Sequence, residues 1–140
     1  MFNRINQVFN YLFRKPDKED LKEVKKILSE DEYRIFLSLG EYDKVHSINV
    51  YKEVKNDCLL GKDEKYLHLA LLHDCGKGKV GFLRRIKKVV FGDIVLEKHP
   101  QVGYDKLKDT DLELANLVRI HHSKDVDEKM KKFQEIDDNN

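Results

Sequence analysis

Residues 65–77 read KYLHLALLHDCGK, and within them residues 66–72 are apolar on almost every side of a helix. A helix of this kind is buried at the centre of a bundle, because no face of it suits water. The run ends at His73 and Asp74, so the buried helix delivers an imidazole and a carboxylate at its end. This stretch indicates a helical core with polar chemistry at one end.

The segments around this helix show the same helical spacing of apolar residues, and none shows the alternation of a strand. In one of them Leu114, Val118 and His121 fall at i, i+4 and i+7, so His121 lies on the apolar stripe and His122 is rotated away from it. The sequence therefore predicts an all-α protein. The other predicted helical segments span 2–13, 17–28, 30–39, 43–55, 80–90, 111–122 and 126 onward, with a short segment ending at Glu97.

No internal repeat and no long low-complexity linker divides the 140 residues, so the sequence predicts a single domain over residues 1–140. Residues 1–40 are predicted to supply N-terminal packing helices, with Gly40 as a C-terminal helix stop. Residues 43–137 are predicted to form the core that carries the site. A chain of this length buries roughly two-thirds of its unfolded surface, so stability requires neither a disulfide nor an oligomer.

Composition narrows the classes of protein. Lys and Arg number 27 against 26 Asp and Glu, and this net charge of +1 gives no overall attraction to nucleic acid or membrane. No apolar run approaches the roughly 20 residues of a membrane span, and the N-terminus lacks the pattern of a cleaved leader. The predicted location is the cytoplasm. The basic run 84–88 is interpreted as a solvated helix face in preference to an anion-steering surface.

Several predicted helices end or interrupt their apolar stripe with a histidine or a carboxylate. Burying such a group costs several kcal/mol unless it is paired, hydrogen-bonded or coordinated to a metal. A divalent cation satisfies all of them together, because imidazole and carboxylate are its usual ligands. The groups concerned are His46, His73, Asp74, His121 and Asp137.

The residues after the buried helix suggest how such a site would act. Asp74 has two oxygens, so it could bridge to a second metal about 3.5–4 Å away. Lys77 follows three residues later, within reach of an anion such as a phosphate oxygen. Cys58 and Cys75 are too far apart for a zinc ribbon and lack the surroundings of a catalytic thiol, so both are predicted to be packing residues.

The order of these residues carries a family resemblance. The chain resembles the HD-domain metal-dependent phosphohydrolases, in particular the branch with an H-D-I-G-K motif. The resemblance rests on the ordered set His46, His73-Asp74-Cys75-Gly76-Lys77, His99-Pro100-x-x-Gly103, His121-His122 and Asp137. It implies a single orthogonal bundle of helices.

The resemblance also implies roles for these residues. Asp74 would bridge two metals, and Lys77 matches the lysine that assists phosphate binding in that branch. The second metal would be served by His99 and His121, with His122 as a further candidate ligand. The first metal would be held by His46, His73, Asp74 and Asp137.

The chain departs from the family pattern at three places. Cys75 replaces the usual isoleucine, at a position expected to pack. Ser123, Lys124 and Asp125 follow the His-His pair, without the glutamate and the Gly-Tyr-Pro extension of cyclic-di-GMP phosphodiesterases, so that substrate is not implied. Asp137 lies three residues from the end, where chains commonly fray, and metal binding would order it.

The predicted function is hydrolysis of a phosphoester or phosphoanhydride in a small phosphorylated substrate, such as a nucleotide, a dinucleoside polyphosphate or a cyclic nucleotide. One or two divalent ions of Mn, Fe, Co, Ni or Zn would serve as cofactors. Asp74 would orient the nucleophile and Lys77 would bind the phosphate. The sequence leaves the oligomeric state open.

Three other interpretations remain open. The chain could be a regulatory module that binds metal and nucleotide without turnover, since fold and site alone do not guarantee catalysis. It could be a di-iron oxygenase, because a few cages of this type hold two irons. It could also be a structural helical protein, in which the core histidines and carboxylates satisfy one another. His99, before a proline, could be a helix cap only, and His68 is interpreted as structural.

Overall fold

The computed structural model describes residues 14–77 and 98–140. These residues form seven α-helices and one short 3₁₀ turn, and no strand occurs among them, so the predicted all-α fold is confirmed. The helices are α1 (Lys18–Ile27), α2 (Glu30–Leu37), α3 (Glu41–Asn56), α4 (Glu64–Leu72), α5 (His99–Leu107), α6 (Leu112–Ile120) and α7 (Glu128–Asp138), and the 3₁₀ turn is Cys75–Lys77. The predicted segments 2–13 and 80–90, the segment ending at Glu97 and the basic run 84–88 lie outside the described residues.

Polar side chains at the N-caps fix where four of the helices begin. At α2, Ser29 and Glu32 form a reciprocal capping box in which each side chain accepts a hydrogen bond from the backbone N–H of the other. Three other helices begin where an aspartate side chain accepts a hydrogen bond from a backbone N–H of the first turn, at Asp63, Asp111 and Asp127. Asp17 occupies the N-cap position of α1, but its side chain makes no capping hydrogen bond.

The prediction for Gly40 was wrong. Gly40 is the N-cap of α3, with φ −66° and ψ 159°, instead of a residue that ends α2. This extended backbone is open to most residues, so the left-handed conformation for which a C-terminal glycine is selected does not arise here. Helix α2 ends earlier, at Leu37.

Helix α4 lies at the centre of the described bundle. It packs against α3 and α6, and α2 contacts it as well. Four consecutive residues, Leu69, Ala70, Leu71 and Leu72, are completely buried. The expectation of a helix buried on nearly all sides is therefore confirmed. The end of α4 places His73 and Asp74 inside the core and not at the surface.

A close approach of backbones sets the position of α5. A Cβ atom added to Gly76 would lie 1.9 Å from the carbonyl oxygen of His99, and one added to Gly103 would lie 2.6 Å from Cγ1 of Val118. The absence of a side chain at Gly76 lets the 3₁₀ turn contact the start of α5, and its absence at Gly103 lets α5 approach α6. Lys106 Nζ also donates a hydrogen bond to the carbonyl oxygen of Cys75, at 2.9 Å. These contacts bring His99 to the end of α4.

The two cysteines differ in their surroundings. Cys75 is fully buried, as expected of a packing residue. Cys58 was also predicted to pack, and this was wrong, because its side chain is exposed. It lies in the turn after α3, where Asp57 accepts hydrogen bonds from the backbone N–H groups of Leu59 and Leu60. This turn directs Leu60 into the core and leaves Cys58 in solvent.

Between residues 14 and 77, and between 98 and 140, no helix has both the length and the apolarity needed to cross a bilayer.

Candidate metal centre

Five helices bring the candidate ligands together. Each helix contributes near an end or along its inner face, so the side chains converge on one end of the bundle. His46 comes from α3 and His99 from the first position of α5. His73 and Asp74 follow α4, His121 and His122 follow α6, and Asp137 lies in the last turn of α7.

The candidate ligands fall into two groups, and the first group consists of His46, His73, Asp74 and Asp137. His46, His73 and Asp74 each present a ligand atom within 4.8 Å of the others. Asp137 Oδ1 lies 2.8 Å from His46 Nε2 and 3.1 Å from His73 Nε2. Asp74 Oδ2 lies 3.3 Å from His73 Nε2 and 3.8 Å from His46 Nε2. Two imidazoles and two carboxylates therefore face a common point.

The second group is on the other side of Asp74. Asp74, His99, His121 and His122 present ligand atoms within 4.8 Å of one another. Asp74 Oδ1 lies 3.1 Å from His99 Nε2 and 3.9 Å from His121 Nε2. The Nε2 atoms of His99 and His121 are 3.3 Å apart. Two ligand atoms about 2.1 Å from a shared ion, at octahedral to tetrahedral angles, are separated by about 3.0–3.4 Å. The spacing of these two nitrogens therefore fits two ligands of one metal ion.

Backbone carbonyls fix which nitrogen of two imidazoles faces inward. His73 Nδ1 is 2.9 Å from the carbonyl oxygen of Ala70, and His121 Nδ1 is 2.5 Å from that of Val118. A carbonyl can only accept, so Nδ1 carries the hydrogen in both rings. Each Nε2 is then the nitrogen available to a cation. Metal-binding histidines are commonly oriented in this way.

The electrostatics of the first group favour a cation. Burial raises the pKa of Asp74, but the charge and hydrogen bond of His73 outweigh it and hold the pKa of Asp74 well below its usual range. Burial raises the pKa of Asp137 too, yet hydrogen bonds from His46 and His73 lower it overall. Burial lowers the pKa of His73, and the charge of Asp74 with the hydrogen bond of Asp137 raises it to about 10. A protonated His73 thus balances charge that a metal ion could balance instead.

In the second group, His121 and His122 have lowered pKa values. Burial lowers the pKa of His121 to about 3, with a further contribution from the charge of His73. Burial also lowers the pKa of His122, and the nearby charge of His99 lowers it further. Neutral imidazole is the form that binds a metal. His121 and His122 are therefore held in the state that coordination requires.

The donor set fits divalent metal ions. The cluster offers five imidazoles and two carboxylates, and its members are buried except for His122, which is largely exposed, and His46 and Asp137, which are partly exposed. Mixed nitrogen and oxygen donors of this kind suit Mn, Fe, Co, Ni and Zn more than Ca or Mg, which prefer oxygen alone. The cluster is thus compatible with divalent metal binding.

Lys77 lies at the mouth of this cluster. Its Nζ is 3.2 Å from Asp74 Oδ2, so the ammonium contacts the carboxylate shared by the two groups. The structure therefore brings together the seven histidines and aspartates named from the sequence, and Lys77 with them. His68 stands apart, since its Nδ1 pairs at 2.7 Å with Glu32 of α2.

A cleft of about 180 Å³ opens onto the cluster. One side is formed by the turn over residues 121–124, and the other by Gln134, Asp137 and Asp138 of α7. The cleft reaches members of both groups, because His121 belongs to the second group and Asp137 contacts the histidines of the first. A small ligand in the cleft would meet both groups.

Sequence reasoning missed two residues that contact the ligands. Gln134 donates hydrogen bonds to the carbonyl oxygens of His121 and Ser123. It precedes Asp137 by three positions on α7, and this helical spacing was the available signal. The Tyr42 ring stacks parallel to the His46 ring with centroids 6.5 Å apart, one helical turn before it on α3. A third residue that was missed, Lys106, contacts the backbone next to a ligand and not a ligand itself. No sequence signal marks it, because its partner Cys75 is 31 residues away.

The fold and the cluster define an all-helical protein with a His/Asp site compatible with divalent metals. A family model of the HD domain matches residues 45–137, well over half of the chain. The chain therefore belongs to the HD domain family. The matched region contains every candidate ligand from His46 to Asp137. Comparisons with curated proteins and with solved structures found no match.

Proposed function

We propose that this protein is a metal-dependent phosphohydrolase that cleaves a phosphoester or phosphoanhydride bond in a small phosphorylated substrate of the nucleotide class. The observation that carries the proposal is the position of Asp74. One oxygen of its carboxylate faces the histidines of the first group and the other faces those of the second. A carboxylate placed in this way is suited to bridge two metals. Membership of the HD domain family, commonly a metal-dependent hydrolase family, agrees with this use.

Each part of the site has a task in this reaction. Divalent ions bound there would supply Lewis-acid stabilisation of the phosphoryl oxygens and activate the attacking water. His46, His73, Asp74 and Asp137 would hold the first ion, and His99, His121 and His122 would join Asp74 around the second. Asp74 would also orient the attacking water, because its two oxygens face the two groups of histidines between which the water would be held.

Lys77 would bind the phosphate. Its ammonium lies against Asp74, beside the carboxylate that would hold the metal ions. It would supply a counter-charge to a phosphate oxygen bound there. A substrate entering through the cleft over residues 121–124 and α7 would meet His121, His122 and Asp137.

The direct test replaces Asp74 by Asn, which keeps the shape of the side chain and removes its charge. We expect wild-type protein purified without chelators or a metal-binding tag to carry about one or two equivalents of transition metal by elemental analysis. Asp74→Asn should lose most of that metal, and hydrolysis of nucleotides, dinucleoside polyphosphates or cyclic nucleotides, followed by chromatography of the nucleotide products, should fall by about two orders of magnitude or more.

Asp109→Asn is the matched control, because Asp109 is exposed in the turn between α5 and α6. It should keep both the metal and the activity. Wild-type protein that cannot be loaded with Mn, Fe or Zn would contradict the proposal. Metal-loaded protein that binds nucleotide without hydrolysing it would favour the regulatory module instead.

A further inference from the structure

The turn over residues 121–123 carries two imidazoles that face the same side. The ring centroids of His121 and His122 are 4.1 Å apart, and they lie 5.2 Å and 5.0 Å from that of His99. Neighbouring residues in a regular helix are rotated by about 100°, so they do not share a face. Helix α6 ends at Ile120, and the turn that follows it is what lets both rings meet His99.

Gln134 holds this turn from the neighbouring helix. Its side-chain nitrogen Nε2 donates to the carbonyl oxygen of His121 at 3.1 Å and to that of Ser123 at 2.7 Å. A carboxamide nitrogen has two hydrogens, so both are used on the two carbonyls that flank His122. The turn is thereby held on either side of the exposed imidazole.

The same helix serves the first group. Gln134 and Asp137 are three residues apart on α7, and Asp137 contacts His46 and His73. Helix α7 stays docked without Gln134, because Met130, Phe133 and Ile136 are buried in the core. Loss of the Gln134 side chain would therefore free the turn while leaving the helix in place.

We propose that Gln134 is a positioning residue for the second metal group. It fixes the turn so that His121 and His122 meet His99 and Asp74, and it ties that turn to the helix that supplies Asp137. Outer partners that orient metal ligands commonly contribute tenfold to a hundredfold in metal affinity. The inference rests on the two-metal site of the proposed function, and metal affinity tests it separately from turnover.

The test is a titration of metal-free protein with Co²⁺, followed by visible absorption, which reports both the number of ions bound and their ligand geometry. Gln134→Met keeps the length and helix propensity of the side chain but has no donor. We expect the second equivalent to bind about tenfold to a hundredfold more weakly in Gln134→Met, with the first equivalent and its spectrum unchanged. Gln101→Met is the control, because Gln101 is exposed on α5 and its side chain donates a hydrogen bond to Asp105 of its own helix.

Each outcome decides the question. Selective weakening of the second ion, with thermal unfolding close to wild type, supports the positioning role. Identical binding of both ions in wild type and Gln134→Met overturns it, and so does equal weakening of both ions, which would mean a general loss of structure. Wild-type protein that binds two ions and hydrolyses no substrate overturns the proposed function and not the role of Gln134. Wild-type protein that binds one ion and no second ion overturns the role of Gln134, whereas the proposed function is then decided by whether the protein hydrolyses a phosphorylated substrate.

Discussion

Gly76 is in contact with the carbonyl oxygen of His99, at a spacing that leaves no room for a side chain. The obstacle is backbone, and His99 is held in turn by the helix that starts there. At Gly103 the obstacle is different, because the nearest atom is a methyl group of the Val118 side chain. Substitution of each glycine therefore tests a different contact. Gly76 lies where the 3₁₀ turn meets α5, and Gly103 lies where α5 meets α6.

At this scale we predict that Gly76→Ala is more damaging than Gly103→Ala. Moving the His99 carbonyl would displace a candidate ligand, whereas the obstacle at Gly103 is a side-chain methyl group of a residue outside the candidate ligands. Overpacking of this kind costs about 1–3 kcal/mol, and Gly76→Ala should lie at or above the upper end. Urea unfolding measures the cost, and elemental analysis measures retained metal. A Gly76→Ala protein as stable and as fully loaded as wild type would contradict the role given to this contact.

At the scale of elements, α2 is joined to the central helix α4 by a hydrogen bond between Glu32 and His68. Glu32 accepts hydrogen bonds from the backbone N–H of Ser29 and from His68 Nδ1. Its side chain is only 6% exposed, so a loss of these partners would leave a carboxylate without solvation. Cap and inter-helix contact therefore depend on the same side chain.

The charge of Glu32 makes this junction sensitive to acid. Burial raises the pKa of Glu32, but the hydrogen bonds from His68 and Ser29 outweigh it, and the pKa is lowered from its ordinary value of 4.5. A carboxyl whose pKa is lower in the folded state stabilises the fold above the unfolded pKa, and this contribution is lost as the pH falls through the folded pKa. The contribution of Glu32 should thus be complete at neutral pH and decline below about pH 4.5.

We predict that Glu32→Gln lowers the free energy of unfolding at pH 7 by about 1.5–3 kcal/mol, since a hydrogen bond to a charged group is lost. The difference from wild type should shrink as the pH falls below about 4.5, because wild-type Glu32 then becomes protonated. Urea unfolding across the pH range measures it. Glu30→Gln, on an exposed position of α2, should stay within about 0.5 kcal/mol of wild type. A difference at Glu32 that does not depend on pH would refute the electrostatic account.

At the scale of the whole molecule, the proposed site joins elements that are distant in sequence. Ligand candidates come from α3, the end of α4, α5, the end of α6 and α7. The first group also contains two carboxylates of like charge. Burial and the charge of Asp74 raise the pKa of Asp137, whereas hydrogen bonds from His46 and His73 lower it overall. A bound cation would remove this repulsion and hold five helices at one point. Metal should therefore stabilise the fold as a whole.

We predict that loading with metal raises the unfolding temperature by several degrees, and that a chelator reverses the change. An ion at a hundred times its dissociation constant stabilises the folded state by about 2.7 kcal/mol. Asp137→Asn should lose most of this response, whereas Asp138→Asn, at the exposed next position, should keep it. Differential scanning calorimetry with and without metal measures the effect. Equal responses of the two variants would place Asp137 outside the metal site.

The helical segments and the order of the candidate ligands were predicted from the sequence alone. The apolar period around residues 66–72 acts within a few residues, so it can be read along the chain. The N-caps at Ser29, Asp63 and Asp111 are equally local, but they were not predicted. The prediction at Gly40 failed for a local reason, since its conformation is set by the helix it begins and not by the one before it.

Only the tertiary structure decided how the candidate ligands are grouped. It placed Asp74 between two sets of histidines, turned His122 towards His99, and gave Gln134 two carbonyl partners. It also left Cys58 in solvent. These features depend on contacts between helices that lie tens of residues apart, whereas sequence periodicity reports only which face of a helix is buried. Which atoms meet across the core is fixed by the packing of the helices against one another.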